Sequence, residues 1–259
     1  MNSPNNSPKI AFVTGYVGLK FSAPIPKKPP HYDGYFITNN KWVYNRLKLT
    51  NWTPIFIDNT IEKLFYAPSE DLVKTFKNIK NADKITKQYV FTTACKPLKL
   101  YPQKFIQKSY DYVVWFDNKF NINTKGTIQT IKNWDSKIAM MLHRHPFVNN
   151  INGEFKESMY QERYIIDKES YLKYIEKNVS QGLSAEHHNH FQCGYLLYNM
   201  NHPDTMQIQE TWHKHIKECG INDQISFNFV AQLFSEVITE YMYDIEEPKT
   251  SFLKRIFKK

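Results

Sequence analysis

Three residues with chemistry in them, Asp117, Asn118 and Lys119, follow directly on the apolar run Tyr110 to Phe116. An acid, an amide and a base at the tip of a buried strand are what an open α/β sheet offers to a ligand, because ligands bind outside the carboxyl ends of the strands. An ordinary strand entering a polar turn would read the same way. Asp223 and Gln224 come next, directly after Asn222, a residue type that caps helices. They fall in a helix's first turn, where an acid also complements the helix dipole. His143 and His145 flank Arg144 after another apolar run, and Glu186 to His190 packs three histidines and an acid into five residues. The first set could ligate a metal or bind a phosphate, or be ordinary surface residues. The imidazoles and carboxylate of the second suit a transition metal, but neighbours on an extended chain point to opposite faces, so only alternate members can share one ion.

These residues must be positioned by strands. Lys9 to Val13 runs into Thr14, Gly15 and Tyr16, a strand followed by small residues that suits the first turn of a nucleotide-binding sheet. Gly34 to Thr38 and Pro54 to Asp58 repeat the device, with polar tips at Asn39 and Asp58. Further strands are expected at Ile138 to Leu142, at Phe191 to Tyr198 and at Val237 to Ile245. Gly194 lies inside the second of these, where a missing side chain lets a sugar or a backbone approach. Helices are expected after Ser69, over Glu157 to Val179, from Pro203 to Gly220, and after Asn222. The segment from Lys96 to Phe105, with Lys99, Pro102 and Lys104, leads into the central strand. Between Glu62 and Lys108 there are ten lysines against four acids, a solvated face or a cluster beside a phosphate.

At 259 residues the chain suits one compact domain, assigned to residues 1–245, with a basic tail at 246–259. Its charged fraction of 23% and aromatic fraction of 15% exclude a disordered chain. The net charge of +9 favours phosphate-bearing partners without choosing among nucleotide, nucleic acid and anionic lipid. Cys95, Cys193 and Cys219 are odd in number and lack CxxC spacing, so reduced thiols in a cytoplasmic protein fit best. Met1 to Pro8 is polar, so no signal peptide is expected, and no apolar run approaches the length of a membrane span.

The motifs taken together resemble a family. Tyr110 to Phe120 is similar to the YDYxxWxDGx strand of small GT-A-type glycosyltransferase-like domains, known from plant mucilage-related and turgor-regulating proteins and from bacterial polysaccharide clusters. Lys96, Lys99, Pro102 and Lys104 resemble the family's RxxKxxPHK segment, and His145, Pro146, Tyr160 and Glu162 its HP…YxE segment. Phe191 to Asn199, Trp212 and Asp223 to Phe227 resemble its G…W…DQxSF pattern, and more distantly that of glycogenin-like transferases. The likeness spans roughly residues 9 to 235, with Asn118, Gln103 and Lys96 departing from the family's Gly, His and Arg.

That resemblance implies a single GT-A-like α/β domain, with a mixed, mostly parallel, Rossmann-like sheet flanked by helices. It implies an enzyme moving a sugar from a UDP- or GDP-linked donor to a glycan or lipid-linked acceptor. Under it Thr14, Gly15, Tyr16 and Asn39 cradle the nucleotide, with Lys96, Lys99, Lys104, Asn118 and Lys119 also at the donor. Gly194 floors the sugar pocket. Asp223 orients the sugar or serves as general base, Gln224 flanks the donor face, and Asp117 anchors a metal or the ribose. Lys119 stands where such transferases carry the second acid of Asp-x-Asp. Two arrangements therefore stay open: Mn²⁺ or Mg²⁺ held by Asp117 with His143 or His190, or lysines supplying the charge directly. A basic module binding nucleic acid or an anionic surface, without catalysis, is the alternative. Its support is the total charge and the tail Lys254 to Lys259, which would also give the enzyme peripheral membrane contact.

Overall fold

The apolar runs pair into one seven-stranded sheet in a computed structural model that describes residues 7–58 and 82–243. The strands are β1 (Ile10–Tyr16), β2 (Asp33–Thr38), β3 (Thr53–Phe56), β4 (Tyr112–Phe116), β5 (Met140–Arg144), β6 (Phe191–Asn199) and β7 (Ile238–Glu240). Their order across the sheet is β3-β2-β1-β4-β6-β5-β7. β1, β2, β3 and β4 run parallel, as do β5 and β7, while β6 runs antiparallel to both of its neighbours. Strands covered on both faces read as nearly continuous apolar runs, which is why β4 and β6 were conspicuous. All nine residues of β6 are buried.

Helices cover both faces. The described ones are α1 (Lys41–Leu47), α2 (Ala82–Leu100), α3 (Thr124–Lys132), α4 (Ile151–Ser158), α5 (Glu162–Ile165), α6 (Lys168–Ser180), α7 (Asp204–Cys219) and α8 (Asp223–Leu233). Strand residues alternate between faces. Val113, Trp115, Leu196 and Tyr198 therefore pack with α2, α7 and α8 through Leu98, Trp212, Ile216, Phe227 and Val230. Phe12, Val114, Phe116 and Leu197 turn the other way, towards Val43 and Leu47 of α1 and Ile131 of α3. A third apolar cluster joins α4, α6 and α8 through Ile151, Tyr171, Tyr174 and Phe229.

Two expectations change, and one segment left without a secondary structure acquires one. Lys96 and Lys99, in the segment expected only to lead into the central strand, lie on the 19-residue α2, with Pro97 inside it. Proline lacks the amide that would bond one turn back, yet packing of Leu98 in the core accompanies a helix that continues past it. The stretch from Glu157 to Val179 is not one helix: α4 ends at Ser158 and α6 begins at Lys168, with the short α5 between them. Tyr171 and Tyr174 of α6 face inward, whereas Tyr160 is 83% exposed. The last strand is shorter than expected, ending at Glu240. The helix start expected at Ser69 and the tail at 246–259 fall outside the described residues.

Candidate active site

The carboxyl ends of β1, β2 and β4 share one rim of the sheet, and the reversal of β6 brings its first residues to that same rim. Such a change of strand direction leaves a crevice where neighbouring connections diverge. Asp117 sits there, one residue past β4, with its amide donating to the Gly194 carbonyl at 2.8 Å. Its side chain is 32% exposed. Residues two apart on a strand share a face. Trp115 accordingly reaches the same carboxylate, its indole N–H donating to Oδ1 at 3.3 Å.

Behind Asp117 lies a buried ionic group. Lys99 Nζ donates to the Cys193 carbonyl at 2.7 Å and to Asp223 Oδ2 at 2.6 Å, and stands 3.9 Å from Asp117 Oδ1. Lys96, one turn earlier on the same helical face, holds the other Asp223 oxygen at 2.8 Å. The three side chains are 6 to 8% exposed. Burial alone would raise the Asp223 pKa, but the two ammonium groups outweigh it and hold the carboxyl far below its usual range. For Lys99 burial pulls the other way from Asp223 and Asp117, and the two carboxylates win, so its pKa is raised. Lys96 has the single carboxylate of Asp223 against its burial, and its pKa is lowered.

Asp223 is carried by the first turn of α8, and that turn is itself anchored. Asn222 caps the helix, its Oδ1 accepting from the Gln224 amide at 3.0 Å. Its side-chain NH₂ donates to Glu154 Oε1 at 2.9 Å and to the Ser158 hydroxyl of α4. Glu154 is buried, which raises its pKa, but bonds from His190 and Asn222 more than offset this and lower it. Further along α8, Asn228 pairs with both backbone groups of Phe191 at the start of β6. Glu154 and Ser158 had no signal in the sequence, because neither stands in a recognisable motif, whereas Trp115 stands in the central strand's motif without a role assigned to it.

Several expected roles change with this geometry. Asp223 remains a candidate for orienting a ligand, but a carboxylate clamped between two ammonium groups is a poor general base. At Gly15 the space of the missing side chain is taken by the protein itself: a Cβ there would meet the Ile37 carbonyl at 2.9 Å and Leu98 at 3.1 Å. Gly194 likewise admits a neighbouring ring, since an added Cβ would lie 2.3 Å from Phe120 Cε2 and 3.3 Å from Asp117 Oδ2. Thr14 spends its hydroxyl on the Phe116 carbonyl at 2.7 Å. The Tyr16 hydroxyl accepts from the Lys20 amide, and Asn39 Oδ1 from the Gly18 amide, so both shape the loop after β1. Asn118 donates to the Pro24 carbonyl at 2.9 Å and Lys119 lies over the Phe120 ring. Lys104 lies over the Tyr101 ring, whose hydroxyl bonds His213 of α7, so it belongs to a different surface.

Among the described residues, Asp117, His143 and His190 do not come together as a divalent-ion site. His143 is on β5, separated from β4 by β6, and His190 is enclosed with its Nε2 3.5 Å from Glu154. Among the described residues no three His, Cys, Asp or Glu side chains come together as a ligand set. Asp117 Oδ1 already faces an indole donor and an ammonium. A cavity with room for about one water lies beside Lys96, lined by Tyr89, Thr93, His213 and Ile216 without Asp117 or Asp223.

No family profile matches the chain, and no curated protein does. Among solved structures, mouse xyloside xylosyltransferase 1 is similar at 11% identity and a TM-score of 0.48, over 88% of this chain and 83% of that one. The galactosyltransferase LgtC, bound to donor and acceptor sugar analogues, is 12% identical with a TM-score of 0.42, over 88% and 72%. The glycosyltransferase GlyE of Streptococcus pneumoniae TIGR4 is 10% identical with a TM-score of 0.43, over 91% and 46%.

Proposed function

We propose that this protein is a glycosyltransferase using a nucleotide-diphosphate sugar. The observation that carries the reading is Asp117: a partly exposed carboxylate at the point where strand direction reverses, backed by a buried lysine that is itself fixed by Asp223. In this reading Asp117 accepts hydroxyls of the ribose or the sugar, and the rigid Lys99, 3.9 Å away, helps to orient it. Gln224, half-buried in the first turn of α8, faces the donor sugar. Lys119, exposed at the tip of β4, meets the diphosphate together with backbone amides of the loop after β1.

The reaction breaks the bond between the anomeric carbon and the diphosphate oxygen and forms one to an acceptor hydroxyl, whose proton leaves. Negative charge grows on the departing diphosphate, so cationic groups placed in advance are the largest catalytic contribution expected from the chain itself. Proton removal belongs to a group outside the Lys96, Asp223 and Lys99 set. Among the described residues the side chains beside Asp117 do not form a metal-ligand set, and in this reading the chain's own cations meet the diphosphate charge.

Thermal-shift titration of UDP and GDP, each with and without Mn²⁺, tests the donor site, because a ligand bound only by the folded state raises the melting temperature. Asp117→Ala should remove most turnover of a sugar donor and reduce the shift. Donor turnover that survives this substitution nearly intact would sink the assignment.

A further inference from the structure

Leu19, Phe21 and Trp42 are 66%, 69% and 72% exposed. Their backbone is nonetheless tightly held. The Gly18 amide donates to Asn39 Oδ1 at 3.0 Å, and its carbonyl accepts from Asn40 at 2.9 Å. Asn40 also caps α1 by accepting from the amides of Trp42 and Val43. Arg46 closes the unit from within α1, bonding the carbonyls of Phe21 at 2.6 Å and Ala23 at 3.1 Å. One ordered unit therefore points a leucine, a phenylalanine and a tryptophan at solvent.

The charge around them is one-sided. Residues 16–50 contain six Lys or Arg and one acid, Asp33. That acid begins β2, at the opposite end of the strand from this loop, and is bonded by Tyr110 and Lys108. Lys20 and Lys41, both exposed, stand beside Leu19, Phe21 and Trp42 in the chain. Single apolar residues on a surface are ordinary. Three large ones on a fixed unit, interleaved with lysines and including an amphipathic indole, match the chemistry of a bilayer interface.

We propose that this face docks on an anionic lipid surface, with Phe21, Leu19 and Trp42 entering the headgroup region and Lys20 and Lys41 meeting lipid phosphates. Basic and aromatic residues also serve single-stranded nucleic acid, but there bases stack on flat faces and the aliphatic Leu19 contributes none. The site is separate from the basic tail and does not depend on the glycosyltransferase reading. It adjoins the β4 tip, since Asn118 bonds the Pro24 carbonyl of the same loop.

The test is co-sedimentation of the full chain with phosphatidylcholine vesicles, with and without phosphatidylserine, at low and high salt. Binding should require the anionic lipid and weaken with salt. Trp42 should report it by a blue shift, because Trp52, Trp115 and Trp212 are buried; loss of the shift in F21S/W42S separates it from any signal of the half-buried Trp134. The double variant F21S/W42S should lose about tenfold or more in partitioning with an unchanged melting temperature. K20E/K41E should bind severalfold less and with a shallower salt dependence. Equal binding by F21S/W42S and the parent would overturn the proposal, as would binding lost only on deleting residues 246–259. Capture of labelled oligonucleotide without vesicle binding would overturn it in favour of nucleic acid.

Discussion

Asp223 holds a negative charge in a place nearly closed to water, and two lysines make that tolerable. Removing one member of a buried ionic group leaves the others uncompensated, which typically costs about 3–5 kcal/mol. Asp223→Asn should therefore destabilise the protein by about that amount in urea unfolding, as two buried ammonium groups would face one neutral amide. Replacing all three, as K96M/K99M/D223L, should restore much of the stability while abolishing activity, because a well-packed apolar set has no charges to desolvate. Recovery of activity in that variant would remove the ionic group from the site. At Gly194 the constraint is steric instead. Gly194→Ala should cost about 1–3 kcal/mol through contact with the Phe120 ring. The pair G194A/F120L should regain part of it, a double-mutant comparison that fails if the two sites act independently.

At the scale of elements, α8 matters because its first turn carries Asp223 and Gln224, and Asn222 ties that turn to α4. Asn222→Ala loses a cap worth about 1 kcal/mol and also leaves the buried Glu154 short of a donor, adding about 1–3 kcal/mol. Asn123 caps α3 by a single bond to the Gly126 amide, so Asn123→Ala should cost only the cap. Equal losses of melting temperature in the two variants would show that the link to Glu154 adds nothing. The same elements explain what the sequence disclosed. Strand β4 and the acid at its tip were legible because a doubly buried strand is a continuous apolar run with an abrupt polar end. The capped start of α8 was legible in Asn222. The helix bearing Lys96 and Lys99 was not, because Pro97 and the lysines around it imitate a loop. Its partnership with Asp223 spans 124 residues of sequence, and no local pattern encodes a contact of that range. His190 looked like a ligand by residue type, and only the packing of α4 shows that it is a buried partner of Glu154.

For the whole molecule, the buried carboxylates decide how stability responds to acid. Asp223 and Glu154 both have folded-state pKa values below their ordinary ones. Their contributions are complete above the unfolded carboxylate range, about pH 4, and are lost as pH falls through the folded values. Asp167 opposes them, because burial raises its pKa by more than the hydrogen bonds from the Ile221 amide and the Tyr89 hydroxyl lower it, so its protonation favours the folded state as pH falls. Two depressed groups against one raised group predict a net loss of stability on acidification, starting near pH 5 and steepening below pH 4, as about two protons would enter on unfolding. The variant K96M/K99M/D223L lacks the most strongly held of these carboxylates and should show a shallower acid limb in melting temperature between about pH 5 and 3, whatever its stability at neutral pH. An acid limb as steep as that of the parent would mean that Asp223 titrates normally, and hence that its two lysines do not clamp it. The alkaline side should differ in sign for the partner base. The raised pKa of Lys99 keeps its contribution intact up to its ordinary value near 10.4 and releases it only above that, so the parent should hold its melting temperature through moderate alkali on this account.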